Sequence, residues 1–286
     1  MTLMSVPGHP ADIDFSRKPL VMGIINCTPD SFFPSSRAAA LADASRKARQ
    51  LIDEGAHILD LGGESSRPGA DYVDEDEELR RVIPVVEEIR KFSHIPLSID
   101  TRKAAVAEAA FKAGADIIND ISALQDDEAM AAIVADYGAY VVLMHKKGSP
   151  RDMQLQPHYE NVLEEVLAGL KQAVEKASKA GVQKEKIILD PGIGFGKRHQ
   201  DNLDLLRNIP RLSALGYPVL IGHSRKSFLE KISGRGVDER IYASISAGVL
   251  AQLKGAAVLR VHDVAATLDA VAVVRAIEGD GVSWSG

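Results

Sequence analysis

Eight short apolar runs in this chain end in residues that can do chemistry. In order, the ends carry Asn26; Asp60 with Glu64; Asp100; Asn119 with Asp120; His145; Asp190; the Ser224-Arg225-Lys226 triplet; and Arg260 with His262 and Asp263. A carboxylate at the end of a buried strand is costly to desolvate unless it is paired. Any one of these groups would pass as a helix cap or a rim ion pair, but eight in succession read as a site. Asp100, Asn119 and Asp190 are rich in acceptors, and Asn also donates. They suit a flat heterocycle with amino and ring N–H edges. Lys226 and Arg260 are fixed cations that, with His262, suit a phosphate or diphosphate, Arg through its planar fork. Asn26 offers a hard oxygen of the kind Mg²⁺ takes alongside phosphate oxygens. The set describes a hydrogen-bonding ring at one end and an anion at the other.

Rival motifs are weaker. Gly192-Ile193-Gly194-Phe195-Gly196 has the look of a dinucleotide fingerprint, but it follows Asp190-Pro191 and lacks the acidic residue and βαβ context of a true one. It reads as a tight turn. There is no P-loop spacing, no His/Cys cluster with zinc spacing, and no Gly-x-Ser-x-Gly elbow, since Gly222-His223-Ser224-Arg225-Lys226 lacks the second glycine.

The elements that must position these groups follow from the apolar runs. Strands are expected over Leu20–Asn26, His57–Gly62, Pro96–Asp100, Ile117–Ile121, Tyr140–His145, Lys186–Asp190, Pro218–His223 and Val258–Asp263. They are rich in Val, Ile and Leu without clean alternation, as in strands buried on both faces. Helix-like stretches such as Ala39–Glu54 and Asn161–Ala180 lie between them, and several end in a glycine suited to a C-cap, as in Ala113-Gly114-Ala115. Eight such units predict an α/β fold of one domain, a TIM (β/α)8 barrel, with an open doubly wound sheet as the alternative. In such a barrel the site sits at the C-terminal ends of the strands, where the polar residues fall. Residues 1–19 are expected to be a lead-in, 20–280 the barrel and 281–286 a tail.

Composition agrees. The 286 residues are 45% hydrophobic and carry a formal charge of -6. That allows a real core and argues against nucleic-acid affinity, which needs a basic face. No run reaches the roughly 18 apolar residues of a membrane span, and residues 1–19 do not read as a signal peptide. The single cysteine, Cys27, excludes an intrachain disulfide and suits a cytoplasmic setting. As a thiol it reads as a small buried hydrophobe.

With these motifs in view, the chain resembles the dihydropteroate synthases. The run Met22-Gly23-Ile24-Ile25-Asn26-Cys27-Thr28-Pro29-Asp30-Ser31-Phe32 is similar to their first signature, and Asp60-Leu61-Gly62-Gly63-Glu64-Ser65-Ser66-Arg67-Pro68-Gly69 to their second. Ser98-Ile99-Asp100-Thr101, Ile118-Asn119-Asp120, Asp190-Pro191-Gly192-Ile193-Gly194-Phe195-Gly196-Lys197, Ser224-Arg225-Lys226 and Arg260-Val261-His262-Asp263 follow in order. The resemblance implies an enzyme that joins a pterin methyl diphosphate to 4-aminobenzoate, releasing diphosphate. It implies Asp100, Asn119, Met144, Asp190, Phe195, Gly222 and Lys226 around the pterin, with Asp190 on the 2-amino and N3 edge. It implies Asn26, Arg260 and His262 at the diphosphate, with Mg²⁺ at Asn26. Thr28, Pro29, Phe32, Ser66, Arg67, Pro68, Lys226 and Ser227 would shape the aminobenzoate pocket. Asn26, Asp100, Lys226, Arg260 and His262 form the catalytic set, with Asp30 and Asp60 as secondary electrostatic groups. A homodimer and standing as a sulfonamide target are further expectations of the resemblance.

Departures from the pattern concern the rim. After Phe32 the family's Ser-Asp-Gly-Gly is replaced by Phe33-Pro34-Ser35-Ser36, which should stiffen that loop. Ser66 stands for Thr, and Lys146-Lys147 follows His145. Two alternatives share the ring-binding ends: a methyltetrahydrofolate–corrinoid methyltransferase and a non-catalytic pterin-binding paralogue. Ser224-Arg225-Lys226 and Arg260-Val261-His262 favour diphosphate handling over the first.

Overall fold

Strands buried on both faces can close only on themselves or under covering helices, and this chain does both. The structure, a computed structural model, describes residues 12–17, 19–27, 37–65, 70, 72–148 and 157–279. Its strands are β1 (Leu20–Asn26), β2 (Ile58–Gly62), β3 (Leu97–Asp100), β4 (Ile117–Asp120), β5 (Tyr140–Met144), β6 (Ile187–Asp190), β7 (Leu220–Ile221) and β8 (Val258–Val261). All ladders are parallel, in the order β6-β5-β4-β3-β2-β1-β8-β7. The seam between β6 and β7 closes through one bridge, Leu189 with Val219, and the Leu189 N–H donating to the Pro218 carbonyl at 2.9 Å. The fold is the expected eight-stranded barrel.

The described helices are α1 (Arg37–Asp53), α2 (Glu75–Arg90), α3 (Ala104–Ala113), α4 (Met130–Asp136), α5 (Val162–Lys179), α6 (His199–Arg207), α7 (Ile209–Ser213), α8 (Ser227–Ser233), α9 (Ile241–Leu253) and α10 (Val264–Glu278). Their start and stop chemistry is local. Asp74 caps α2 by accepting the Glu77 N–H at 2.8 Å, ahead of four acidic residues in the first turn, which favours the positive end of the helix dipole. Gly114 ends α3 at φ 108, returning its N–H to the carbonyls of Ala110 and Phe111, a conformation that needs no Cβ.

Alternation along each strand divides the core in two. Outward residues such as Val21, Leu59, Ile99, Val141 and Leu189 pack under the helices. Inward residues Leu20, Met22, Ile58, Ile117, Tyr140, Val142, Ile188, Leu220 and Val258 fill the lower barrel, with Ile13 and Phe15 of the lead-in against them. The Ile13 N–H donates to the Tyr140 hydroxyl at 3.1 Å, and Phe15 meets the Tyr140 ring edge-on. The bottom is therefore a packed plug. Above it the register carries inward positions to inward positions: Ile24 with Asp60, Asp60 with Ser98, Gly62 with Asp100, Asp100 with Asn119, and Met144 with Asp190. The polar groups that a greasy interior cannot hold are thus delivered to the upper mouth.

Seven strands are shorter than expected, five of them by a single residue and β7 and β8 by more. β7 pairs over Leu220–Ile221 rather than Pro218–His223, because Pro218 has no N–H to give a ladder. β8 stops at Val261, because the next N–H, that of His262, turns to the Ser224 hydroxyl at 3.3 Å.

Candidate active site

At the mouth, β8 meets β2 and β3 through an ion cluster. Arg260 donates from Nε to Asp60 at 2.6 Å and from Nη2 to Asp100 at 2.9 Å. The Asn119 amide donates to the same Asp60 oxygen at 3.4 Å, a weak bond. Asp60 is fully buried and Asp100 nearly so. Burial pushes the Asp100 carboxyl up to about 7, against the pull of Arg260 and with the help of Asp60. Burial works against the Arg260 charge, but Asp60 and Asp100 overcome it and its pKa is raised. Among the described residues Nη1 is left as the guanidinium's unengaged donor. Asp60, a secondary group in the sequence reading, is therefore the buried partner of Arg260.

On the other side β6 and β7 face each other across their seam. Asp190 accepts the Gly192 N–H at 2.7 Å through Oδ1. Burial raises its pKa, opposed by Lys226. Lys226, the N-cap of α8, donates to the Ile193 carbonyl and holds its ammonium 4.6 Å from the Phe195 ring centre. Burial lowers its pKa to about 8, with Asp190 resisting. Gly222 shapes the space between: a Cβ there would lie 3.7 Å from Lys226 Nζ and 4.0 Å from Asp190 Oδ2. Met144, buried beside Asp190 in the register, closes that flank.

The side of the mouth at the ends of β1 and β8 is less enclosed. His262 sits just past β8, and Ser224 fixes it, its hydroxyl lying 3.0 Å from Nδ1. Asn26 ends β1, half-buried, opposite Gly62. Ser227 is exposed at the start of α8. No group of three or more His, Cys, Asp or Glu among the described residues could hold a metal. The donor chemistry here fits Mg²⁺ held mainly by a ligand's own phosphate oxygens, with Asn26 adding one more, since Mg²⁺ readily keeps non-protein oxygens.

Four strand-end groups belong elsewhere. Asp120 accepts from the Ser122 N–H and hydroxyl and the Leu124 N–H, all at 2.7 Å, and so clamps a turn in which Ala123 and Leu124 have positive φ. Glu64 pairs with Arg102 at 2.9 Å and Lys103 at 2.6 Å. Asp263 takes a two-bond fork from Arg225 at 3.0 and 2.6 Å. His145 points outward from β5, away from the barrel interior, and its ring packs against Gly169 of α5. Lys146 pairs with Asp126 at 2.8 Å, as rim decoration. The Gly192–Gly196 stretch is a tight turn, the Phe195 N–H returning to the Gly192 carbonyl at 3.1 Å. The Cys27 thiol is pushed up to about 12, chiefly by burial, which leaves it unreactive. Thr28, Pro29, Asp30, Phe32, the Phe33-Pro34-Ser35-Ser36 run, Ser66, Arg67 and Pro68 lie outside the described residues.

A closed barrel whose C-terminal mouth sets buried carboxylates and an amide beside cations is the ground plan of an enzyme acting on a polar, anionic small molecule. Comparison with known proteins narrows this. The pterin binding enzyme family matches residues 22–262. The dihydropteroate synthase of Haemophilus influenzae is 46% identical over 258 residues, covering 90% of this chain and 94% of that protein. Among solved structures, the Xanthomonas albilineans dihydropteroate synthase with 4-aminobenzoic acid superposes with a TM-score of 0.87 at 46% identity, covering 92% of this chain and 94% of that one. The Clostridium difficile dihydropteroate synthase, crystallised in the presence of pteroic acid, gives 0.88 at 42% identity, covering 93% and 99%. The chain belongs to the pterin binding enzyme family, in its dihydropteroate synthase branch.

Proposed function

We propose that the protein condenses 6-hydroxymethyl-7,8-dihydropterin diphosphate with 4-aminobenzoate to give 7,8-dihydropteroate and diphosphate. The observation that carries this is the convergence at one mouth of Asp190, Asp100 and Asn119 with Lys226 and Arg260, the last bonded directly to Asp100. Asp190 grips the 2-amino and N3 edge of the pterin, where two parallel bonds fit a carboxylate. Asn119, Asp100, Met144, Phe195, Gly222 and Lys226 complete the ring pocket. Lys226, Nη1 of Arg260 and His262 hold the diphosphate, with Asn26 toward Mg²⁺. When bound, Mg²⁺ would neutralise charge on the diphosphate.

The reaction breaks the bond from methylene carbon to diphosphate oxygen and forms one from that carbon to the arylamine nitrogen. The departing anion keeps the electron pair, and cations aimed at it lower the barrier. The methylene becomes cationic, stabilised by the ring electrons and the Asp100 and Asp190 carboxylates. The neutral amine attacks through its lone pair and gives up one proton, so no strong base is required. Ser227, with the loop residues Thr28, Pro29, Phe32, Ser66, Arg67 and Pro68, shapes the aminobenzoate pocket, where sulfonamides compete.

The enzyme works as a homodimer in the cytoplasm. Supporting the dimer, α9 and α10 pack together and expose Tyr242, Leu250, Leu253, Val273 and Ile277, a large apolar group for a monomer surface. No described helix is long and apolar enough to cross a membrane. The test is direct: protein, Mg²⁺, labelled 4-aminobenzoate and the pterin diphosphate should yield labelled dihydropteroate. Binding of the pterin without turnover would instead identify a non-catalytic paralogue.

A further inference from the structure

Under the Gly192–Gly196 turn lies a cation that the reaction above does not use. Lys197 is 3% exposed. Its Nζ lies 3.0 Å from the Phe195 carbonyl, 3.1 Å from the His145 carbonyl and 3.3 Å from His145 Nδ1. Burial lowers its pKa to about 7, with Asp190 resisting; in the charged form an ammonium has three protons, and here three acceptors meet it. None is a carboxylate. Of the two acidic groups near it, Asp190 gives Oδ1 to Gly192, and Asp201 gives both oxygens to Arg198. A buried ammonium without a carboxylate partner is costly, and an apolar residue would fill the space at lower cost unless the three bonds matter.

What they join is specific. The turn lies directly on the chain leaving β5. A Cβ on Gly192, at φ +69, would sit 1.9 Å from the His145 carbonyl oxygen, and one on Gly196, at φ +60, 2.1 Å from that of Lys147. On its far side the turn supports Lys226, whose Cδ would lie 3.0 Å from a Cβ on Gly194, and which donates to the Ile193 carbonyl and faces the Phe195 ring. One short turn is thus held between two lysine side chains, one in the mouth and one beneath it.

We propose that Lys197 is a positioning residue of the ring pocket: by binding the His145 and Phe195 carbonyls and His145 Nδ1 together, it sets the height of the Gly192–Gly196 turn and so places Phe195 and Lys226 against the pterin. The inference rests on the pterin-binding reading above. His145 is the fitting partner. Burial drives its pKa down to about 3, with Lys197 adding to the effect, so the imidazole is neutral. Accepting at Nδ1 then puts its proton on Nε2.

Steady-state kinetics on Lys197→Met, which keeps the stem and removes the donors, tests the role. The KM for the pterin diphosphate should rise about tenfold or more, while kcat and the KM for 4-aminobenzoate stay within about threefold. His145→Leu should move the pterin KM the same way by less. His145→Asn, whose side-chain oxygen can accept in place of Nδ1, should restore it to within about threefold. In ¹⁵N-histidine spectra the His145 Nδ1 resonance should be that of an unprotonated, hydrogen-bonded nitrogen and should shift in Lys197→Met. A pterin KM within about twofold of the unmodified enzyme, or both KM values rising together with a fall in melting temperature, would overturn the proposal. If Lys197→Met does not fold, the Leu and Asn variants at 145 decide by the same criterion. Absence of product from the unmodified enzyme would defeat the proposed function; turnover with an unmoved pterin KM in the variants defeats this inference alone.

Discussion

On the β2–β3–β8 side of the mouth, Arg260 is locked between Asp60 and Asp100; on the β6–β7 side, Lys226 donates to a backbone carbonyl and Asp190 accepts a backbone N–H, the two groups flanking Gly222. Both sides bury cations beside carboxylates, yet the first pairs them directly with each other and the second pairs each with the backbone. Arg suits the first task because its fork can take two carboxylates at once, and Lys the second because its pKa yields to burial. The difference shows how one barrel mouth can divide its charges: one arc pairs them within the fold, and under the proposed function the other meets the substrate.

Breaking the locked arc should give the largest effect. Arg260→Ala leaves Asp60 and Asp100 buried without a cation and should cost about 3–5 kcal/mol of stability in denaturant unfolding. A loss confined to diphosphate affinity, with unfolding unchanged, would show that the cluster is not structural. Asp190→Ala strikes the other arc. It should weaken pterin binding by about 3 kcal/mol, near 100-fold by calorimetry, with little change in melting temperature. Equal losses of stability in both variants would erase the distinction.

The next test sharpens the locked arc through pH. The Asp100 pKa is raised from 3.8 to about 7 in the folded state, chiefly by burial. Between those values the native protein binds the extra proton, so this group's contribution to stability falls as the pH rises through the window. Asp100→Asn removes that loss. It should be more stable than the parent at pH 8 by about 2 kcal/mol, roughly half of what the pKa corresponds to because Arg260 gives up a charged partner. The gain should vanish near pH 4, and a pH-independent difference would count against the assignment. The smallest effect belongs to Lys226. With its pKa near 8, kcat/KM for the pterin diphosphate should fall about tenfold per pH unit above that value, and Lys226→Arg should move the falling limb to higher pH.

Much of this was legible in the sequence. Eight β-rich runs and their polar ends told of a barrel, because a strand buried on both faces leaves only its end for a charge. Asp190, Asn119, Lys226 and Arg260 were found that way and do share one mouth. The ends could not say which way a residue faces. Asp120 and His145 each lie one position beyond an inward residue, so they point toward the helices, where Asp120 clamps a turn and His145 meets Lys197. Lys197 closes the Asp190–Lys197 motif, and only the fold brings it under residue 145. The role of Asp60 is hidden in the sequence for a similar reason: its partner is 200 residues away.

The single bridge that closes β6 onto β7 has a consequence for the ligand-bound enzyme. Asp190 stands at the end of one strand and Lys226 beyond the end of the other, so a pterin gripped by both would span the join as an extra rung. Bound substrate would then tighten the cylinder where its own hydrogen bonding is thinnest. Amide exchange at Leu189 and in residues 219–221 should slow more on pterin binding than exchange at the β1–β2 join, which already has a full set of rungs.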